Sequence, residues 1–152
     1  MAQISNPRAL KELQLLDGQT LNYGLKSPDM ELYDFGFGKI VTAQNIHKKE
    51  KKISSYILHV ICRFKVINKI TNQTEVYYED TPSEVFDARV KHLVGLKVKR
   101  VALSQKNDLW LDFGDYWVVF ATYENGEESW RFFQSNPDSP HLVASNSSLD
   151  MV

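Results

Sequence analysis

Leu16-Asp17-Gly18 through Asp34-Phe35-Gly36, and Leu93-Val94-Gly95 through Asp112-Phe113-Gly114, carry the same text twice in one chain. The glycine markers lie 77 residues apart and the Asp-Phe-Gly triplets 78, so one residue has been gained or lost between them. A stretch that matches its own sequel at such spacing indicates a duplicated unit. A duplicated motif is architectural, and it turns the chemistry-bearing triplet into a strand end followed by a glycine turn. The protein-kinase reading of Asp-Phe-Gly also needs a Gly-rich loop, a strand lysine and a His-Arg-Asp loop. None of the three is present.

Outward from the triplets, each unit opens with a short helix. Asn6-Pro7 and Thr81-Pro82 place a capping side chain before a proline at the first helical position. Glu84 stands at capping-box spacing from Thr81. Leu10, Leu13 and Leu16 form the apolar stripe of the first helix; Val85, Phe86, Val90 and Leu93 form that of the second. Gly18 and Gly95 supply the stops.

After each helix the apolar period changes to two. The second unit reads as Val98, Val101 and Leu103, then strands Leu109 to Phe113 and Tyr116 to Tyr123. Asn125-Gly126 gives the strongest hairpin signal, returning through Glu128 to Phe133. His141 to Ala144 adds a short final strand. The first unit echoes the order with strands Thr20 to Leu25, Met30 to Phe35, Ser55 to Ile67 and Glu75 to Tyr78. An insertion from Lys39 to Ser54, carrying Lys48-Lys49-Glu50-Lys51-Lys52, reads as a solvated hairpin extension. The expected fold is α+β: two tandem helix-plus-antiparallel-meander repeats, near 6–80 and 81–145, packed as one mostly-β domain over 1–152. Two antiparallel sheets, or one continuous sheet, share a core with the helices on it.

Composition sets limits on function. With 43% hydrophobic and 24% charged residues in 152, a packed core is expected. Net charge is −1, which gives no global basic field for nucleic acid. The charge is uneven: residues 1–100 hold 16 Lys and Arg against 11 Asp and Glu, whereas 101–152 hold two against eight. Either the acids of the second unit are solvated faces, or they form an acidic docking surface. The single cysteine, Cys62, excludes an intramolecular disulfide and lies in an apolar strand as a buried, inert thiol. The start of the chain lacks the pattern of a signal peptide, and no apolar run reaches the length of a membrane span. The expected location is the cytoplasm.

No nucleophile elbow, phosphate loop, dinucleotide fingerprint or zinc-protease motif occurs. His47, His59, His92 and His141 are scattered, with no metal-ligand spacing. No catalytic residue, metal ligand or cofactor is nominated. The cluster retained is a partner-binding one: Asp108, Asp115, Tyr116, Tyr123, Glu124, Glu127 and Glu128. Aromatics at hairpin ends supply anchors and the acids steer encounter. Trp117 and Trp130 belong either to this surface or to the core.

The second unit carries a resemblance. Leu-x-Gly at Leu93, Val-x-x-Val at Val98, Asp-Leu-Trp-Leu-Asp-Phe-Gly-Asp at Asp108, Glu-Ser-Trp-Arg-Phe-Phe at Glu128, and Pro-His-Leu-Val-Ala-Ser at Pro140 follow in order. Together they resemble a family of small bacterial two-repeat proteins in which an acidic residue shortly precedes a Trp, here Glu128 and Trp130. The resemblance implies a cytoplasmic immunity protein of a polymorphic toxin system, whose partner is a cognate toxin. Many such toxins are nucleases with basic clefts, to which an acidic plug is complementary. Two other classes stand beside it: a small-molecule or peptide binder (or an enzyme of unfamiliar type) using a cleft between the repeats, and nucleic-acid contact through the Lys-rich insertion.

Overall fold

The computed structural model describes residues 7–27, 31–44, 50–136 and 138–152. Helix α1 spans Pro7–Leu13 and runs into a 3-10 turn at Gln14–Leu16. Then come β1 (Leu21–Lys26), β2 (Tyr33–Gln44), β3 (Glu50–Val60), β4 (Phe64–Asn68) and β5 (Thr74–Tyr77). Helix α2 (Ser83–Val90) is followed by β6 (Arg100–Leu103), β7 (Leu109–Asp112), β8 (Tyr116–Phe120), β9 (Trp130–Gln134), β10 (Leu142–Ala144) and β11 (Leu149–Met151). The mostly-β, α+β architecture matches the sequence reading, with two antiparallel sheets rather than one.

The strand order is interleaved. One sheet runs β1-β2-β3-β9-β10-β11 and the other β5-β4-β8-β7-β6. Each is therefore a three-stranded meander from one half of the chain, completed by strands from the other half. Hydrogen bonds at the seam between halves are reciprocal: Gly18 N–H donates to Val98 C=O at 2.7 Å and Gly95 N–H to Leu21 C=O at 2.8 Å. Leu21 N–H likewise donates to Leu96 C=O, and Val98 N–H to Gln19 C=O, both at 2.9 Å. Gly18 and Gly95 both take the left-handed backbone (φ 80° and 92°) that glycine adopts at least cost, but only Gly18 follows a helix end closely; α2 ends at Val90, capped by Lys91, five residues before Gly95.

Alternation explains which faces meet. Tyr33, Phe35 and Phe37 of β2, Leu58 and Val60 of β3, and Trp130 and Phe132 of β9 point inward and are buried. They face Phe64, Leu109, Leu111, Val118 and Phe120 of the other sheet in one continuous core. Phe86 of α2 closes the side of this core, edge-on to Tyr33, Phe35, Phe64 and Tyr77 at ring separations of 4.8 to 6.0 Å. Such pairs add about 0.5–1.5 kcal/mol each beyond area burial.

Several expectations are corrected. Gly36 is not a turn; it lies inside β2, where a Cβ would stand 2.1 Å from the Tyr23 ring. Only the second triplet ends a strand, with Gly114 at φ 90°. The residues read as one strand from Ser55 to Ile67 break at Ile61–Cys62–Arg63, where the chain crosses between sheets. Asn125-Gly126 does not close a hairpin, because β8 and β9 belong to different sheets. Thr81 does not cap α2: its Oγ1 accepts from Tyr78 N–H at 2.9 Å, and the N-cap position falls to Pro82. The insertion continues β2 and β3 outward as a paired extension from Ile40↔Ser54 to Gln44↔Glu50. The Asn6 cap, Met30, His47 and the Lys48-Lys49 pair lie outside the described residues.

Candidate functional site

Two crossovers meet at one end of the molecule. Ile61–Arg63 carries β3 into β4, and residues 121–129 carry β8 into β9. They run side by side because Ile61 and Cys62 N–H donate to Ser129 C=O at 3.0 and 3.1 Å, and Ala121 N–H to Arg63 C=O at 3.0 Å. Tyr123 ties a third segment to them. Its hydroxyl has one proton to share between Ile61 C=O and Glu79 Oε1, the latter at 2.7 Å and in the connection between β5 and α2. Glu31, just before β2, and Glu127 complete a recess of about 500 Å³ whose lining also holds Asp80 and Tyr78.

The charges there are held. Burial pushes the Glu79 carboxyl up, but the Tyr123 hydrogen bond, its own backbone contact and the Arg63 and Lys26 cations outweigh it and leave it below the usual range. Burial first, then the Glu79 bond and charge, raises the Tyr123 phenol, which stays neutral. The recess is a rim of carboxylates around an aromatic anchor.

The structure divides the residues nominated from sequence. Tyr123, Glu124 and Glu127 sit on the second crossover, the two acids exposed. Asp108 is beside them but committed: its Oδ1 accepts from Thr122 N–H at 2.8 Å and faces the Thr122 hydroxyl at 3.1 Å. Glu128 is paired with Arg131 at 2.8 Å. Asp115 and Tyr116 stand at the opposite end of β8. Trp130 is wholly buried and donates Nε1–H to Asn107 C=O at 3.0 Å, so it is core. Trp117 lies on the outer sheet face with Lys69 and Arg100 over its ring and Trp110 edge-on at 5.6 Å. Lys69 also pairs with Asp112 at 2.6 Å.

Glu31, Glu79 and Asp80 went unnoticed in the sequence. They lie in a half that is basic overall, and only the crossovers bring them to Tyr123. The one local signal was Glu79-Asp80 ahead of the proline that opens α2.

A second concavity, about 240 Å³, opens between α2 and the inner face of β4 and β5. Val66, Tyr77, Phe86, Val90 and Leu93 give it an apolar floor, with Glu75, Arg89, His92 and Tyr116 among its polar walls. Tyr77 donates its hydroxyl to Glu75 at 2.6 Å, and Arg89 Nε lies 3.8 Å from the same carboxylate.

Cys62 is buried, its thiol pushed up to about 12 mainly by burial. His59 lies 3.5 Å from Asp34, its cross-strand neighbour. His141 stacks on Phe133 at 4.2 Å and receives Arg131 Nη1 at 3.0 Å. Among the described residues no group of three or more His, Cys, Asp or Glu side chains is arranged to hold a metal ion. No described helix is long and apolar enough to cross a membrane. Comparison with protein-family models, with curated proteins and with solved structures finds no match to this chain.

Proposed function

We propose that this chain is a non-catalytic binding protein that docks its acidic end on a basic surface of a protein partner. The partner is a cognate bacterial toxin, neutralised in the cytoplasm by covering its active cleft. One observation carries the reading: Glu31, Glu79, Asp80 and Glu127 converge on Tyr123 from three separate segments. Carboxylates collected around an aromatic group can steer a cationic surface in and give it an anchor. The sequence resemblance supplies the toxin. We also read the molecule as two tandem copies of one unit, supported by the doubled strand order and the reciprocal seam.

The test is Glu31→Lys, Glu124→Lys and Glu127→Lys together, none of which holds a core contact. Calorimetry against the product of the adjacent reading frame is expected to show a nanomolar complex for the parent. The triple variant should bind at least tenfold more weakly, and the parent complex should weaken as salt rises. A folded triple variant with full affinity and full toxin protection sinks this surface.

The pocket beside α2 favours a second reading, a small-molecule binder, because β4 and β5 of one half and α2 and β8 of the other all line it. Its volume is below the 300–1,000 Å³ usual for ligand pockets. Stabilisation by a small ligand in a thermal-shift screen, lost in Val90→Phe, would favour it.

A further inference from the structure

The two sheets follow one plan up to their last strand. One runs β1-β2-β3-β9-β10 and adds β11; the other runs β6-β7-β8-β4-β5 and stops. Register fixes the correspondence. Trp130 of β9 faces Val60 of β3 on one side and Ala144 of β10 on the other. Val66 of β4 likewise faces Val118 of β8 and Glu75 of β5. On that match, Thr74 of β5 holds the place of Val143 of β10.

Val143 lies opposite Asp150 of β11, and two positions away His141 and Val152 exchange both backbone hydrogen bonds, at 2.9 and 2.7 Å. In β5 the same alternation leaves the matching groups free. Asn68 N–H donates to Gln73 C=O across the β4–β5 ladder at 2.9 Å, so the N–H and C=O of Thr74 and Val76 turn away from β4. No described strand lies there, and Val76 is 43% exposed.

The space beside that edge is also shaped for a strand. In the longer sheet, Leu149 and Met151 of β11 point inward and pack on the core beside α1. The corresponding space of the other sheet, between β5 and α2, is the 240 Å³ pocket with its floor of Val66, Tyr77, Phe86, Val90 and Leu93. Leu149 and Met151 stand opposite Ala144 and Leu142. By the same match, a strand added on β5 would set its inward side chains opposite Glu75 and Gln73, both in the lining of this pocket.

We propose that the free edge of β5 is a docking site for an extended segment of the protein partner, added antiparallel as a sixth strand with two apolar side chains, one residue apart, directed into the pocket. Main-chain bonds at Thr74 and Val76 give the strand its register, and the pocket selects the alternating apolar pair. The proposal rests on the reading of a protein partner and gives it a second contact away from the acidic end.

The probe is a capped synthetic peptide copying Ser147–Val152, titrated into the ¹⁵N-labelled full chain. Saturable amide shifts are expected in 74–78 and on the α2 face toward the pocket, with slowed exchange of the Val76 amide. The same peptide N-methylated at its Asp lacks the N–H aimed at Thr74 C=O and should bind at least about tenfold more weakly. Val76→Pro removes only a donor on the free edge, where proline is tolerated, and should abolish the shifts while keeping the parent spectrum elsewhere. If that variant does not fold, the N-methylated peptide decides.

Absence of shifts in β5, equal binding of the N-methylated peptide, or shifts confined to β10 and β11 would overturn the proposal. So would peptide-free protection of the Val76 amide that grows with protein concentration, since a second copy would then hold the edge. A partner that binds Val76→Pro at full strength but not the triple Lys variant removes the edge and keeps the acidic end. The reverse pattern does the opposite.

Discussion

His141 shows how far one side chain's surroundings decide its chemistry. Its Nδ1 faces the Arg131 guanidinium, which only donates, so the neutral ring is the form that accepts this bond. Burial, the Arg131 cation and His59 hold its pKa below the ordinary 6.5, with Glu128 pulling the other way. The sign follows from linkage: below about pH 6.5 the unfolded chain takes up a proton that the folded chain resists, so stability falls as pH drops. The urea midpoint is expected to decrease between pH 7.5 and pH 5.5, and His141→Gln should flatten that decrease. An unchanged slope in the variant would remove the assignment. None of this was legible in the sequence, where His141 merely followed a proline; the register of β9 against β10 and the stacking on Phe133 make the pair.

At the scale of elements, local signals were legible and long-range ones were not. The first helix with Gly18 just beyond it, strands with alternating apolar faces and a buried Cys62 could be read because each depends on neighbours in sequence. Asn125-Gly126 did mark a turn, but whether a turn joins paired strands or sends the chain to another sheet depends on residues far away, here Ile61 and Arg63. The single-strand reading from Ser55 to Ile67 failed for the same reason: both sides of Cys62 are apolar, and only tertiary pairing separates them. Strand β11, Leu149-Asp150-Met151, passed unseen in the sequence. Its removal is expected to matter nonetheless, since Leu149 and Met151 pack on the core. Ending the chain at Ser148 should cost roughly 2–3 kcal/mol in urea unfolding, given about 1.5–3 kcal/mol for each fully buried side chain of this size. A midpoint equal to that of the full chain would show β11 to be a passive cover.

At the scale of the whole molecule, interleaving makes the halves depend on each other. Residues 1–80 leave β4 without β8, and residues 81–152 leave β9 without β3. Expressed alone, each half should lack dispersed amide resonances; mixed or co-expressed, the two should recover the spectrum of the intact chain. Independent folding of either half would contradict the shared core. The same dependence hid the candidate site: Tyr123, Glu124 and Glu127 are legible within the acidic second half, whereas Glu31, Glu79 and Asp80 reach Tyr123 only through the fold. The pairing of β3 with β9 has a further consequence at the ribosome. When Val60 has emerged, the meander β1-β2-β3 can form, but its β3 edge, carrying Tyr56 through Val60, waits for Trp130 through Gln134. At about 5–20 residues per second that edge stays bare for roughly 4–14 s, a nascent sheet looking for a strand. The growing chain is thus exposed to chaperones, and to pairing with neighbours on the same messenger, for as long as its second half is still being made.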